Sequence, residues 1–393
     1  MGDEVKIQQT QDGLTEEEII LDKIKGSLFG GAMGDALGYP VEFMSESQIT
    51  SKYGLGGITE YEFGTASGQA LISDDTQMTL FTANGILVGE TRLRMRGIGG
   101  TPHCYISNSY QDWLYTQELT KEQFEEKRAE GYYCTSWLCD VPELYSRRAP
   151  GGTCLSAIIQ GNPGSVNNPI NNSKGCGGIM RVAPLALHYG NLDIKELDRE
   201  GAEIAAITHG HSLGFMSAAV LTHIISRIVY PGDKQMSLKD IVIDARDTVH
   251  ALFSKDEHIS EQDRIITKAI ELSENDETDI DNIRKLGEGW VAEETLAIAI
   301  YCSLKYQNDF SKGIIAAVNH SGDSDSTGAV TGNILGALLG FHAIEDKWKK
   351  NLELYDVIDE MAHDLCHGCT MTEYSNERDE AWVMKYIDMR WHL

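Results

Sequence analysis

HSGDSDSTGAVTGNILGALLGF runs from His320 to Phe341. Asp323, Ser324, Asp325, Ser326 and Thr327 crowd polar oxygens into five consecutive positions. An apolar segment follows at once, with Gly328, Gly332, Gly336 and Gly340 at every fourth position. On a helix that spacing draws a nearly straight ridge without side chains. Each mid-helix glycine costs about 1 kcal/mol relative to alanine. Four in register persist where another backbone has to come close. The stretch therefore predicts an oxygen-rich helix N-terminus that feeds a buried, closely packed helix.

A partner for the ridge stands near the other end of the chain. GSLFGGAMGDALGYPVEF, Gly26 to Phe43, places Gly26, Gly30, Gly34 and Gly38 at the same interval. The two ridges are expected to pack face to face and bring both ends of the chain into one core. Thr327 to Ile344 contains no Asp, Glu, Lys or Arg, which opens a membrane-span reading. That run is at the short limit for a span and holds Asn333 and His342, so a buried helix is the better reading. No second comparable run is evident.

The chain has 393 residues, 41% of them hydrophobic, ample for a large core. Length alone suggests two or three domains. No linker tract, low-complexity block or solenoid repeat divides it, so one domain over 15–393 is expected, with residues 1–14 disordered. Thirty-three Lys and Arg against 60 Asp and Glu give a net charge of −27. That surface argues against duplex nucleic acid, whose phosphates require a basic footprint. It argues equally against an anionic membrane surface. The opening MGDEVKIQQTQDGLTEEE is polar and acidic and predicts no export signal. Eight cysteines then read as reduced thiols in a cytoplasmic protein. Oligomeric state is not legible.

Along the chain, Glu16 to Gly38 reads as helix, with Thr15 as N-cap and Glu18 completing a capping box. Residues 44–72 read as glycine-rich and irregular. Ser73-Asp74-Asp75 precedes a helical run, TQMTLFTANGILVG. Residues 91–172 are rich in tyrosine and proline and read as an irregular insertion packed on a helical body. NNSKGCGGIMRVAPLAL reads as a glycine turn leading into a helix. Two helices are expected to break at His209-Gly210-His211. Apolar residues at three- and four-residue steps continue almost to the end. The predicted fold class is all-α.

Ser73-Asp74-Asp75 and Asp323-x-Asp325-Ser326 each sit just before a helix and offer only oxygen. Hard cations such as Mg²⁺ and Mn²⁺ take such ligands. Helix capping uses the same residues, and the helix dipole disfavours a cation there unless several carboxylates outweigh it. Glu42 ends the first ridge segment and reaches the same place if the ridges pack. Gly175 to Gly178 allow either a phosphate at a helix N-terminus or a plain tight turn. Cys366 and Cys369, with His363 and His367 beside them, suggest zinc only weakly. Cys134 and Cys139 make a poor second pair for it, and partly buried thiols are the better reading. No nucleophile elbow, P-loop or dinucleotide fingerprint is present.

At these residues the chain resembles the ADP-ribosylglycohydrolase family. The matching pieces are GGAMGDALGYPVEF, SDDTQM, KGCGGIMRVAPL, THGH and GDSDSTGAVTGNILGA, in the family's order across residues 26 to 340. The resemblance implies a large all-helical bundle with two divalent cations, Mg²⁺ or Mn²⁺. It implies Ser73, Asp74, Asp75, Asp323, Asp325 and Ser326 as metal ligands. Glu42 matches a mobile acidic residue near the substrate ribose, and Ser173 to Gly178 match the loop around the diphosphate. His209 falls beside the distal ribose. Two positions depart from the family pattern: Cys176 replaces an Asn of some members, and Ser326 replaces the commoner Thr.

The expected activity is hydrolysis of the glycosidic bond joining ADP-ribose to an acceptor, ADP-ribosyl-arginine first. The partner is then an ADP-ribosylated protein or small molecule. Glu42, Asp75 and Asp325 are the candidate catalytic residues, and the general base is Glu42 or an Asp of the cluster. Ser173, Gly175, Cys176, Gly177, Gly178 and His209 are the candidate substrate contacts. A catalytically silent ADP-ribose binder and a two-metal phosphatase are the alternatives.

Overall fold

The computed structural model describes residues 13–131, 134–232, 235–375 and 378–387. Within them the chain forms eighteen α-helices, joined by short 3₁₀ turns, and four isolated β-bridges with no sheet. The helices that build and support the site are α1 (Glu16–Gly38), α2 (Asp74–Arg96), α3 (Pro102–Glu118), α4 (Lys121–Ala129), α5 (Ser212–Val229), α6 (Ala292–Lys305) and α7 (Ser324–Leu339). The expected disorder of residues 1–14 falls, for 1–12, outside the described residues.

The two glycine ridges zip together antiparallel along the middle of the molecule. A Cβ on Gly26 would lie 2.1 Å from the Gly336 carbonyl oxygen, one on Gly30 2.2 Å from that of Gly332, and one on Gly34 2.0 Å from that of Gly328. The last pair sets Gly38 against Ser324, at 2.3 Å. Backbone rests on backbone for almost four turns, which no other residue allows. Asn333, the polar residue in the apolar run, faces Gly31 and donates from Nδ2 to the Ser27 carbonyl at 2.8 Å. At the outer end, Phe341 N–H donates to the Asp22 carbonyl at 3.0 Å and His342 N–H to the Asp22 carboxylate.

Capping follows the sequence at the start of α1. Glu18 N–H donates to Thr15 Oγ1 at 3.2 Å and Thr15 N–H to Glu18 Oε2 at 2.7 Å. Because Gly38 meets Ser324, the 3₁₀ turn Tyr39–Val41 and Glu42 are delivered to the N-terminus of α7. The ridge register thus aims the first motif at the second.

Two expectations of irregularity need correction. Residues 44–72 include the helix Glu46–Tyr53, entered through a capping box at Ser45 and Gln48. The stretch 91–172 takes in the last turns of α2, then α3, α4 and the helix Gly152–Ile159. Tyr110 and Trp113 of α3 are core residues; Trp113 is fully buried and donates to Gln77 of α2 at 3.1 Å. The break at His209-Gly210-His211 is where it was expected, between Ile194–Ala206 and α5.

Among the described residues, α5 is the one helix long and apolar enough to cross a membrane. It carries Arg227, and 94% of it is buried inside the protein, as in a core helix. The apolar run of α7 is likewise buried against α1 and α6.

Candidate active site

Two helix N-termini open onto one cavity. Ser73 caps α2, its Oγ accepting from Asp75 N–H at 3.2 Å. Asp323 caps α7, accepting from Ser326 N–H at 3.3 Å. The capping reading is therefore correct for one residue of each cluster. Asp74, Asp75 and Asp325 lie one or two positions further on, in the first turns, where the helix dipole favours negative charge. Both helix starts are apposed because the ridge and the packing of α1 leave them nowhere else to go.

The cavity encloses about 340 Å³ and is lined by Glu42, Asp74, Asp75, Asp323, Asp325 and Ser326 on one side. Pro150, Gly151, Gly175, Cys176, Gly177 and His209 line the other, with Phe43 and Trp290 at the mouth. Three predicted residues do not line it. Ser73 is buried beneath it, the Ser173 hydroxyl pairs with Thr153 at 3.2 Å, and Gly178 packs against Ala205. A larger cleft of about 910 Å³ opens elsewhere, at Glu90, Arg94 and His188. Its buried carboxylate, Glu90, is already paired with Arg94, His188 and the Cys369 N–H.

The carboxylates are crowded and dry. Burial first, and then the charge of Asp325, raises the carboxyls of Asp35, Glu42, Asp74 and Asp75. Asp35 rises to about 7 and Glu42 to about 10. Asp325 itself is pushed up by burial and by Asp323. Glu42 Oε2 and Asp75 Oδ2 are buried without a hydrogen-bond partner. Buried oxygens in this state call for a counter-charge.

An all-oxygen set of carboxylates and one serine hydroxyl, with two orphaned buried oxygens, fits hard divalent cations. Among the described residues, no three of these carboxylates bring one oxygen each within 4.8 Å of one another. A shared ion would draw them closer.

Asp35 was missed in the sequence although it sits inside the first quoted motif. Its carboxylate accepts from Ser73 N–H at 3.0 Å, Thr76 N–H at 3.1 Å and the Thr76 hydroxyl at 2.5 Å. It therefore holds the α2 N-terminus against α1. The signal was an aspartate within a buried glycine ridge, where a charge needs a reason.

The glycine turn behaves differently from its phosphate reading. Cys176–Gly178 form a single 3₁₀ turn, and the next helix begins only at Ala183. No α-helix N-terminus faces the cavity there. The turn is pinned from outside: Cys176 N–H donates to the Trp290 carbonyl at 3.2 Å, and Ala292 N–H to that of Lys174 at 2.8 Å. Lys174 and Glu293 add a salt bridge. Cys176 donates its thiol proton to Asp323 Oδ2 at 2.8 Å, so this side chain faces the acidic cluster.

His209 is buried, and burial followed by the nearby Arg181 charge lowers its pKa to about 3. It is neutral at physiological pH. Arg181 donates to the Thr208 hydroxyl at 2.6 Å, and that hydroxyl lies 2.8 Å from His209 Nδ1. We assign the Thr208 proton to Nδ1, which leaves Nε2–H as a donor beside Gly175 and Gly177. On the far wall, Gly151 N–H donates to Asp74 Oδ2 at 3.3 Å, and Arg148 receives Asp74 N–H on its carbonyl. Arg148 is anchored by Glu353 at 3.1 Å. Phe43, 72% exposed, stacks on Trp290 with centroids 5.6 Å apart. These supports come from four separate segments and carried no mutual signal in the sequence.

The raised carboxyls make the cation-free protein pH-sensitive. A carboxyl with a folded value above its unfolded one stabilises the fold at low pH and loses that contribution as pH rises. For Asp35, moving from 3.8 to about 7, the loss between pH 5 and 8 is about 3 kcal/mol. In chelator, Tm is expected to fall by about 3 °C over that range. Mn²⁺ should restore it, and should do so more at pH 8 than at pH 5. Thermal melts in chelator and in Mn²⁺ at both pH values check this.

An all-helical body with a buried acidic cavity at two helix starts defines the class. The chain belongs to the ADP-ribosylglycohydrolase family, whose model matches residues 16–374. It is 25% identical over 351 residues to the protein YegU of Escherichia coli (strain K12), covering 86% of this chain and 94% of that one. It is 24% identical over 348 residues to the ADP-ribosyl-[dinitrogen reductase] glycohydrolase of Rhodospirillum rubrum, covering 85% and 91%. The match to human ADP-ribosylhydrolase ARH3, 27% identical over 213 residues, spans 49% of this chain and 58% of that protein. A solved ADP-ribosylglycohydrolase-related protein complex shares the fold, with a TM-score of 0.57 at 23% identity over 89% of this chain and 98% of that one. Family membership and these relatives support a hydrolase that removes ADP-ribose.

Proposed function

We propose that the protein hydrolyses the glycosidic bond between ADP-ribose and its acceptor at the distal ribose, with ADP-ribosyl-arginine as the first substrate to test. One observation carries this reading: Glu42 and two acidic helix starts converge on one 340 Å³ cavity that holds unpaired buried oxygens. Asp74, Asp75, Asp323, Asp325 and Ser326 would hold two divalent cations, Mg²⁺ or Mn²⁺, with Ser73 supporting them from beneath. When bound, these ions would offset part of the carboxylates' charge, orient the ribose hydroxyls and lower the pKa of an attacking water.

The chain's own groups do the rest. The carboxylates of Asp75 and Asp325 stabilise the positive charge that develops on the anomeric carbon as the acceptor leaves. Once the local negative charge is compensated, Glu42 becomes a carboxylate and takes the proton of the water. The new C–O bond forms at the anomeric carbon, the bond to the acceptor nitrogen breaks, and the acceptor leaves with the proton that Glu42 took from the water. His209, a neutral donor through Nε2, and the turn Gly175–Gly177 orient the substrate, and Phe43 and Trp290 flank its entry. The acidic surface favours a partner that brings its own basic groups, such as an arginine-bearing protein.

Incubation with ADP-ribosylated arginine and serine, with Mg²⁺ or Mn²⁺, tests the reading by release of free ADP-ribose. Glu42→Gln is expected to lower kcat about 100-fold with little change in KM, the scale of a lost general base. Tight ADP-ribose binding by calorimetry without turnover on either substrate would instead mark a silent binder. Release of inorganic phosphate from a nucleotide would mark a phosphatase.

A further inference from the structure

A second buried cluster lies between α3 and the loop that leads along the chain to Arg148 and Gly151. Asp112 of α3, Cys134 and Cys139 each offer one ligand atom, and the three atoms lie within 4.8 Å of one another. Among the described residues no other trio of His, Cys, Asp or Glu meets so closely. All three side chains are buried. Four residues separate the cysteines, within the spacing of zinc-binding pairs. Between them, Thr135 donates its N–H at 3.0 Å and its hydroxyl at 2.6 Å to Asp112 Oδ2. Outer donors of this kind orient a metal-binding carboxylate.

We propose that Asp112, Cys134 and Cys139 form a zinc site that ties α3 to the loop leading to the wall of the active-site cavity. The set supplies three protein ligands and leaves the fourth position to a water. Soft thiolates select zinc over the Mg²⁺ or Mn²⁺ suited to the acidic cavity. Binding converts two thiols to thiolates and releases two protons. The resulting site keeps one net negative charge. Lys121, which donates to the Cys139 carbonyl at 2.9 Å, and Arg128, whose charge acts on Cys134, partly offset it.

An independent observation points the same way. The two cysteines and Phe124 of α4 make a small core of their own, apart from the main one. One buried phenylalanine stabilises by about 1.5–3 kcal/mol. Ordering a residue's backbone costs about 1–2 kcal/mol. Leu138 and Leu144 join the main core and hold the end of the 120–145 segment there, so the small core around the thiols is the part that a cross-link would hold. A metal joining Asp112 to the 134–139 loop supplies one. From that loop the chain runs through the turns Trp137–Asp140 and Pro142–Leu144 to Arg148 and Gly151, which hold Asp74.

The test uses the full chain, purified without chelator, then stripped and reloaded with one equivalent of Zn²⁺ or Co²⁺. One tightly held zinc per chain is expected, with thiolate-to-cobalt charge-transfer absorption in the Co²⁺ form. Zn²⁺ should also protect two thiols of the parent protein from a thiol reagent, a readout that needs no variant. Cys139→Ser should lose the absorption, whereas Asp325→Asn should keep it. Four results would overturn the proposal: no cobalt–thiolate band, no thiol protection, a band lost in Asp325→Asn but kept in Cys139→Ser, or a Cys134–Cys139 disulfide seen as a mass lower by two hydrogens. The first two read the metal directly, so they stand whether or not the chain hydrolyses ADP-ribosyl bonds.

Discussion

Asp325→Asn is expected to cut hydrolysis about 1,000-fold, the upper scale for removing one preorganised group from a developing charge. The same substitution should leave the cation-free protein at least as stable as its parent. Asp325 is the second cause, after burial, of the raised carboxyls at Asp35, Glu42, Asp74 and Asp75. Removing its charge relieves all four at once. Asn keeps an oxygen to accept the Ser326 N–H that Oδ1 now accepts at 3.0 Å. The acidic centre is thus a place where function is held against stability. Three measurements check it together: ADP-ribose release, Tm in chelator, and the Tm gain on adding Mn²⁺. Activity should collapse, the chelator Tm should hold or rise, and the Mn²⁺ gain should shrink. A variant that keeps full activity, or one that melts far below the parent in chelator, would contradict the role given to this carboxylate.

The largest effect on folding is expected at the ridge. Gly332→Ala places a Cβ 1.9 Å from the Gly30 carbonyl oxygen and 2.4 Å from its carbon. Those atoms are backbone in the middle of a helix and have no rotamer to escape into. Ordinary overpacking costs about 1–3 kcal/mol, and this contact belongs at or above the top of that range. The variant is expected to be recovered mainly as insoluble protein or to melt at least about 4 °C lower. Gly30→Ala, with its Cβ 2.2 Å from the Gly332 oxygen, should behave alike, and the double substitution should not rescue either. Gly56→Ala is the control, because nothing lies within 4 Å of its Cβ and its φ is ordinary. Should Gly332→Ala melt like the parent, the helices do not touch as described.

Much of the site was legible because its signals are local. A glycine every fourth residue is a helix-surface pattern whatever the rest of the chain does. Two copies of it named each other as partners, and Gly26, Gly30 and Gly34 do meet Gly336, Gly332 and Gly328. Ser73-Asp74-Asp75 and Asp323-x-Asp325 were equally plain, since cap and first-turn positions are set by immediate neighbours. Glu42 followed from the ridge. Other residues had no such signal. Asp112 lies more than twenty positions before Cys134, too far for a spacing motif to join them. Phe43 and Trp290 stack across a separation of nearly 250 residues. Cys176–Gly178 looked like a helix entry, but the pinning of the turn to Trp290 and Ala292 leaves it as one 3₁₀ turn.

From the sequence by itself came an all-helical chain, two side-chain-free ridges, and acidic caps waiting at two helix starts. Helix period, glycine's missing Cβ and capping chemistry act over a few residues, so their consequences can be read in order along the chain. Only the tertiary structure decided which walls close the cavity, that Asp35 clamps α2 to α1, that His209 is a neutral donor, and that Asp112 meets two thiols. Those outcomes depend on burial and on charges brought together from distant segments, and neither quantity exists until the helices have packed.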